Sequence, residues 1–192
     1  MSTELVNLLS RHRLIELNHL YEEFMPVWPT HGKFFCHRSE DYVAGDGNYN
    51  CQLSLGDHCG THVDAPIHFI AEGKTIDNID VRQLTGRGRC LDMSYVEKNG
   101  LITLEQIQQW EEKHGAIAAG DIVIFRTGYD KKWQPRPNHQ AFLQDWPGLS
   151  GEGARYLIDN GITVFGTDAA PQDSSSSEGH PAHHAVLGSG CL

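Results

Sequence analysis

The segment Asp57-His58-Cys59-Gly60-Thr61-His62-Val63-Asp64-Ala65-Pro66-Ile67-His68-Phe69 gathers three histidines and an aspartate between His58 and His68. Imidazole nitrogens and a carboxylate oxygen together suit zinc, manganese or iron. Spacing decides which backbone could bring them to one ion. His58 and His62 are four apart and would share a helical face, but Asp64 would then lie about 200° round, on the opposite side. In an extended chain, residues two apart share a face, which pairs His62 with Asp64. Gly60 supplies the bend that swings His58 onto the same ion, and Pro66 disfavours helix at Ala65. The spacing therefore predicts ligands on a strand end and turn, not on a helix, and no HExxH occurs. A histidine-rich surface loop with a capping aspartate is the competing reading; it accounts for a single histidine well and for this arrangement poorly. His68 lies beyond Pro66, and spacing alone leaves it two roles. It is either a fourth ligand or a free imidazole beside the metal. In the second role it would collect and deliver protons next to water whose pKa the metal has lowered.

The elements that must position these residues mix strands and helices. Residues 1–12 read as a short helix, from the spacing of Leu5, Leu8 and Leu9. LIELNHLY reads as a first strand, and FMPVWPTHGKFF as an irregular aromatic stretch broken by Pro26 and Pro29. NYNCQLSLGDH and GRCLDMSYV read as strands. Thr103 and Gln106 form a capping box for a helix that Gly115 stops, and Ser150 caps another that ends at Gly161. DIVIFRT reads as a central buried strand and ITVFG as a second one. GYDKKWQPRPNHQ is predicted as a loop, TDAAPQDSSSSEGH as a polar surface loop, and PAHHAVLG as the start of a last helix. An α/β domain follows, and its β-rich first half argues against a simple doubly wound sheet.

The rest of the sequence narrows the partners. The formal net charge is −10, from 15 basic and 25 acidic residues, without the Lys/Arg clusters that displace counterions from a nucleic acid. The same balance disfavours an anionic membrane surface, and no apolar run approaches a bilayer span. Neither a nucleic acid nor a membrane is expected as a partner. The 5 cysteines, odd in number and without CxxC, read as free thiols in a reducing compartment. The N-terminus shows no signal-peptide pattern, so a cytoplasmic location is expected.

The run His58-Cys59-Gly60-Thr61-His62-Val63-Asp64-Ala65-Pro66-Ile67-His68 resembles the HxGTHxDxPxH signature of the cyclase family, which includes bacterial arylformamidase (kynurenine formamidase) and isatin hydrolase. Met25-Pro26-Val27-Trp28-Pro29 is similar to the family's aromatic segment, and Ile124-Phe125-Arg126-Thr127-Gly128 to its central strand and turn. Gly166-Thr167-Asp168, followed by Pro181-Ala182-His183-His184, is similar to its second-metal region. The resemblance runs from Arg13 to the end of the chain. It implies a swivelling β/β/α domain of the α/β class, a mixed sheet with flanking helices, in a homodimer or larger homo-oligomer with the site near the subunit contact.

The resemblance also implies one or two divalent ions, zinc or manganese. His58, His62 and Asp64 would bind the first ion, with Asp64 bridging to a second held by His183. His68 would be the proton donor and acceptor, and Trp28 would pack on the substrate. The aromatic-rich segment itself suggests that Phe24, Phe34 and Phe35 join Trp28 in a flat apolar wall. Asp168 is expected to orient a ligand or cap a turn, Cys59 to point away, and Arg126 to be structural. A further glutamate ligand and further strands would lie beyond Leu192, so residues 1–192 are expected to be one domain lacking its C-terminal strands. The implied reaction is hydrolysis of an amide in an aryl formamide or small cyclic amide, taking N-formylkynurenine to kynurenine and formate. The alternative substrate is isatin or another cyclic amide or lactone. A reading of another class is a catalytically impaired metal-binding structural or regulatory module. A metal-free, pH-sensing histidine cluster leaves Asp64 and the glycine bend without a purpose.

Overall fold

The computed structural model describes residues 2–192. In chain order its elements are α1 (Ser2–Ser10), β1 (Phe35–Glu40), β2 (Asn50–Ser54), β3 (Arg87–Asp92), β4 (Leu101–Ile102) and α2 (Leu104–His114). Then follow β5 (Asp121–Arg126), β6 (Gly148–Leu149), α3 (Gly151–Asp159), β7 (Val164–Thr167) and α4 (Pro181–Gly188). The fold is α/β, and parallel and antiparallel pairing are divided among three sheets. β1 and β2 make an antiparallel hairpin, β3-β5-β7 a parallel sheet, and β4-β6 a short parallel pair.

The apolar run Asp121–Arg126 is the central strand, as its composition predicts. Val123 and Phe125 point into the main core with Leu91 of β3 and Phe165 of β7. Ile107 of α2, Ala154 and Leu157 of α3, and Ala182, Val186 and Leu187 of α4 close that core. Parallel neighbours need long crossovers, and α2 and α3 lie in those between β3 and β5 and between β5 and β7. Register is pinned at the strand starts. Arg87 stands opposite Asp121 and donates to its carboxylate through Nε (2.8 Å) and Nη2 (2.7 Å). That bidentate grip, helped by the Ala118 N–H, outweighs burial and holds the Asp121 carboxyl at about 2.

Capping chemistry reads through to structure. Thr103 accepts from the Gln106 N–H while the Gln106 side chain accepts from the Thr103 N–H, and Ser150 accepts from the Gly153 N–H. The strand expected over LIELNHLY does not form. The segment has no partner strand, and Leu14, Ile15, Leu17 and Leu20 are exposed. Side-chain bonds tie its end to the histidine segment instead: the His19 N–H donates to Thr61 Oγ1, and the Tyr21 hydroxyl donates to the Cys59 carbonyl at 2.6 Å. Among the described residues no helix is long and apolar enough to cross a membrane.

Candidate metal centre

The histidine segment follows β2 as an irregular turn that ends in a single 3-10 turn over Pro66–His68. It is neither a helix nor a paired strand. Gly60 makes the bend that the spacing requires, with φ +66°. A Cβ there would also lie 2.7 Å from the Tyr21 ring, which wraps the bend while its hydroxyl reaches the Cys59 and Thr61 carbonyls. Cys59 points away from the site into a small core with Met25 and Phe34. Downstream, Phe69 and Ile70 pack on the main core, and the 3-10 turn packs against α4.

This path brings the expected ligands together. His58 Nδ1 lies 2.7 Å from Asp64 Oδ1 and 3.2 Å from His62 Nε2, and His62 Nε2 lies 3.1 Å from the same Asp64 oxygen. The other Asp64 oxygen faces His183 Nε2 at 3.8 Å. His68 sets its ring 3.8 Å from that of His58, at a tilt of 33°, and remains exposed. Its turn brings one of its nitrogens within 4.8 Å of ligand atoms of His58 and Asp64, so fourth ligand and free imidazole are both within reach.

The donor chemistry fits a divalent ion. His62 Nδ1 must donate to the Gly60 carbonyl (2.8 Å), so in the neutral ring Nε2 is the nitrogen that offers a lone pair on the Asp64 side, and in the protonated ring the same Nε2–H donates to Asp64. His183 Nδ1 donates to the Asp173 carboxylate, which leaves its Nε2 free toward Asp64. Metal-binding histidines ordinarily give their second N–H to a carbonyl or carboxylate in this way. Ligand atoms on a tetrahedral zinc with bonds of about 2.1 Å stand about 3.4 Å apart. The His62–Asp64 and His58–His62 distances, 3.1 and 3.2 Å, fall within a few tenths of an ångström of that spacing, and the His58–Asp64 distance, 2.7 Å, is shorter.

Electrostatics follow from the same packing. Burial pushes the Asp64 carboxyl up, but the His62 hydrogen bond and the charges of His62, His58 and His68 outweigh it and hold it at about 2. The bond to Asp64 pushes His62 up. Burial pushes His68 down, and its neighbours His58, His183 and His31 add to that against the opposing pull of Asp64. Burial likewise raises Asp173, yet its carboxyl lies below the ordinary range through the bond from His183 and the N–H groups of Ala182 and His183.

The other named residues fall into place around this group. Trp28 is 39% exposed and sits edge-on to Trp146, 6.0 Å between ring centres. Its carbonyl accepts from the His31 N–H, and the His31 ring is 5.7 Å from that of His58. The apolar wall is built otherwise than expected, because Phe34 is buried with Met25 and Cys59 and is not presented. Asp168 caps a turn: it accepts from the Thr127 and Gly128 N–H groups and from the Thr127 hydroxyl, tying the ends of β5 and β7 together. Arg126 pairs with Asp92 at 2.7 Å and is structural. His184 is exposed.

The polar loop before α4 departs from expectation, since Asp173 is only 1% exposed and Ser174 is also buried. Sequence reasoning missed Asp173, His180, which comes within ligand distance of Asp173 and His183, and Phe69, which stacks on His183 at 4.6 Å. The one local signal for His180 was its Gly-His-Pro setting, which holds it at φ +49° as the N-cap of α4.

An α/β fold with two imidazoles on one carboxylate oxygen and a third facing the other has close relatives. The family model described as "Putative cyclase" matches residues 15–174, and the chain belongs to that family. It is 30% identical over 173 residues to a kynurenine formamidase of Geobacillus thermodenitrificans, covering 90% of this chain and 76% of that protein. Isatin hydrolase A from Ralstonia solanacearum superposes with a TM-score of 0.87 at 26% identity, over 100% of this chain and 82% of the other. A structure described as a predicted metal-dependent hydrolase from Bacillus stearothermophilus matches with a TM-score of 0.68 at 25% identity, over 91% and 77% of the two chains.

Proposed function

We propose that the chain is a metal-dependent amidohydrolase acting on an aryl formamide, of which N-formylkynurenine is the type, or on a small cyclic amide. The observation that carries this reading is the division of Asp64: one oxygen faces His58 and His62, the other faces His183. In this reading His58, His62 and Asp64 hold one ion, and Asp64 and His183 share a second where two are bound. Zinc or manganese suits two imidazoles and a carboxylate. A divalent ion held there supplies Lewis acidity, polarising the substrate carbonyl and acidifying water. His68, beside His58 yet exposed, moves the proton from the attacking water to the leaving nitrogen through its imidazole. Trp28 offers the half-exposed indole face on which an aromatic substrate packs.

Kynurenine formamidase relatives support the formamide, and the superposition of the whole chain on 82% of an isatin hydrolase supports the cyclic amide. Elemental analysis, paired with hydrolysis of N-formylkynurenine and of isatin before and after chelation, decides. One or two ions per subunit and chelation-sensitive turnover are expected, and the faster substrate names the class. Bound metal without turnover of either would leave a binding module, and no bound metal would overturn the reading.

The proposal extends to a cytoplasmic homodimer or larger homo-oligomer. The unpaired cysteines support a reducing compartment. Leu5, Val6, Leu8 and Leu9 of α1, with Leu14, Ile15, Leu17 and Leu20 after it, are all exposed, a concentration of apolar side chains that a subunit contact would cover. Light scattering on the eluted protein is expected to give at least twice the chain mass of 21.4 kDa. A monomer at micromolar concentration would refute the assembly.

A further inference from the structure

Asp173, on the loop between β7 and α4, is a fully enclosed carboxylate that the proposed reaction leaves without a role. Both of its oxygens are engaged. Oδ1 accepts from the Ala182 N–H at 2.7 Å, and Oδ2 accepts from the His183 N–H at 3.1 Å and from the His183 ring at Nδ1. The first two bonds cap α4, a service that its own N-cap residue, His180, does not perform through its side chain. The third has nothing to do with capping. It fixes which nitrogen of a buried imidazole carries the proton and which way the ring faces. The loop that carries Asp173 is in turn clamped, because the Trp146 indole N–H donates to the Asp173 carbonyl at 2.7 Å and the Leu149 N–H to the Gln172 carbonyl at 2.8 Å.

We propose that Asp173 is a positioning residue: it holds His183 as the Nδ1–H tautomer, so that Nε2 is presented as a lone pair toward Asp64. This rests on the reading that His183 and Asp64 share an ion. No neutral side chain of the same size reproduces the arrangement, since Asp173→Asn must turn an NH2 group toward one of the three N–H donors.

Cobalt(II) titration of the full chain, followed by its visible absorption, tests the proposal in a double-mutant cycle of Asp173→Asn and His183→Ala. Asp173→Asn alone is expected to weaken cobalt binding about 10- to 100-fold and to alter the spectrum of the bound ion. In the His183→Ala background the same substitution is expected to add nothing. An equal loss in both backgrounds, or a lower Tm with cobalt affinity and spectrum unchanged, overturns the proposal and leaves a helix cap alone. Wild-type protein that binds no cobalt overturns the metal reading itself, an outcome distinct from cobalt binding that Asp173→Asn leaves intact. A measurement on the wild-type chain covers the case of a variant that fails to fold. The nitrogen-15 spectrum of His183, assigned by its disappearance in His183→Ala, is expected to show a protonated Nδ1 and an unprotonated Nε2. The opposite tautomer overturns the proposal.

Discussion

Asp64→Ala is expected to release the bound metal and reduce hydrolysis at least a thousandfold, whereas His68→Ala is expected to keep the metal and lose more than a hundredfold in turnover. The two residues are four apart in one short segment, so any general loosening of that segment would affect them alike. Their proposed roles would not. Asp64 is the anion against which the three imidazoles of His58, His62 and His183 are set, and its carboxyl titrates at about 2, so it is charged throughout the working range. Removing it leaves neutral ligands facing one another across a gap with no negative charge to hold a cation. His68 contributes an exposed ring beside His58, and losing a positioned acid or base costs roughly 10²- to 10⁴-fold. Metal content and turnover measured on both variants separate the roles. Metal lost from His68→Ala would make that residue a ligand, the role that spacing left open for it. Turnover retained by Asp64→Ala would remove the basis of the proposed site.

The signals that were legible in the sequence are those carried by neighbours along the chain. The His58–His68 run encodes its own bend through Gly60 and Pro66, so the convergence of His58, His62 and Asp64 was legible within the segment. Thr103 with Gln106, and Ser150, encode helix starts through bonds spanning three residues. The Asp121–Arg126 run reads as central because a strand so apolar needs neighbours on both edges. Contacts between distant segments were not legible. LIELNHLY is apolar enough for a strand, but a strand requires a partner, and this segment bonds instead to the irregular histidine turn. Asp173 lies in the run Pro-Gln-Asp-Ser-Ser-Ser-Ser-Glu-Gly, whose composition says solvent. What buries it is Trp146 and β6, 27 and 24 residues earlier for Trp146 and Leu149, through bonds that no local pattern announces. His183 could be picked out from its neighbour by family likeness, but its tautomer depends on that hidden carboxylate.

The dependence of the site on that tertiary clamp makes Gly148→Ala the most disruptive single methyl that the structure identifies away from the metal cluster. Gly148 of β6 pairs with Leu101 of β4, and a Cβ built on it would lie 2.0 Å from the Ser174 amide nitrogen, 2.2 Å from the Asp173 carbonyl carbon and 2.7 Å from the Gln172 oxygen. All three are backbone atoms, so no rotamer change relieves the clash. Either β6 leaves its pairing with β4, or residues 172–174 move outward by roughly an ångström or more, beyond the strain that a packed interior absorbs cheaply. Outward movement takes the Asp173 carboxylate off the His183 ring and off the first turn of α4 together. Gly148→Ala is therefore expected to cost about 3 kcal/mol or more of stability. At a temperature where it remains folded, it is expected to weaken metal binding as Asp173→Asn does. Gly88→Ala is the matched control: that glycine lies on an exposed position of β3, and a Cβ there meets nothing within 4 Å. Its unfolding free energy is expected to stay within a few tenths of a kcal/mol of wild type or to rise, because alanine lowers the entropy of the unfolded chain. A Gly148→Ala protein with unchanged midpoint and unchanged metal affinity would mean that the 172–174 loop yields freely, and a loop that yields freely cannot be what holds His183 toward Asp64.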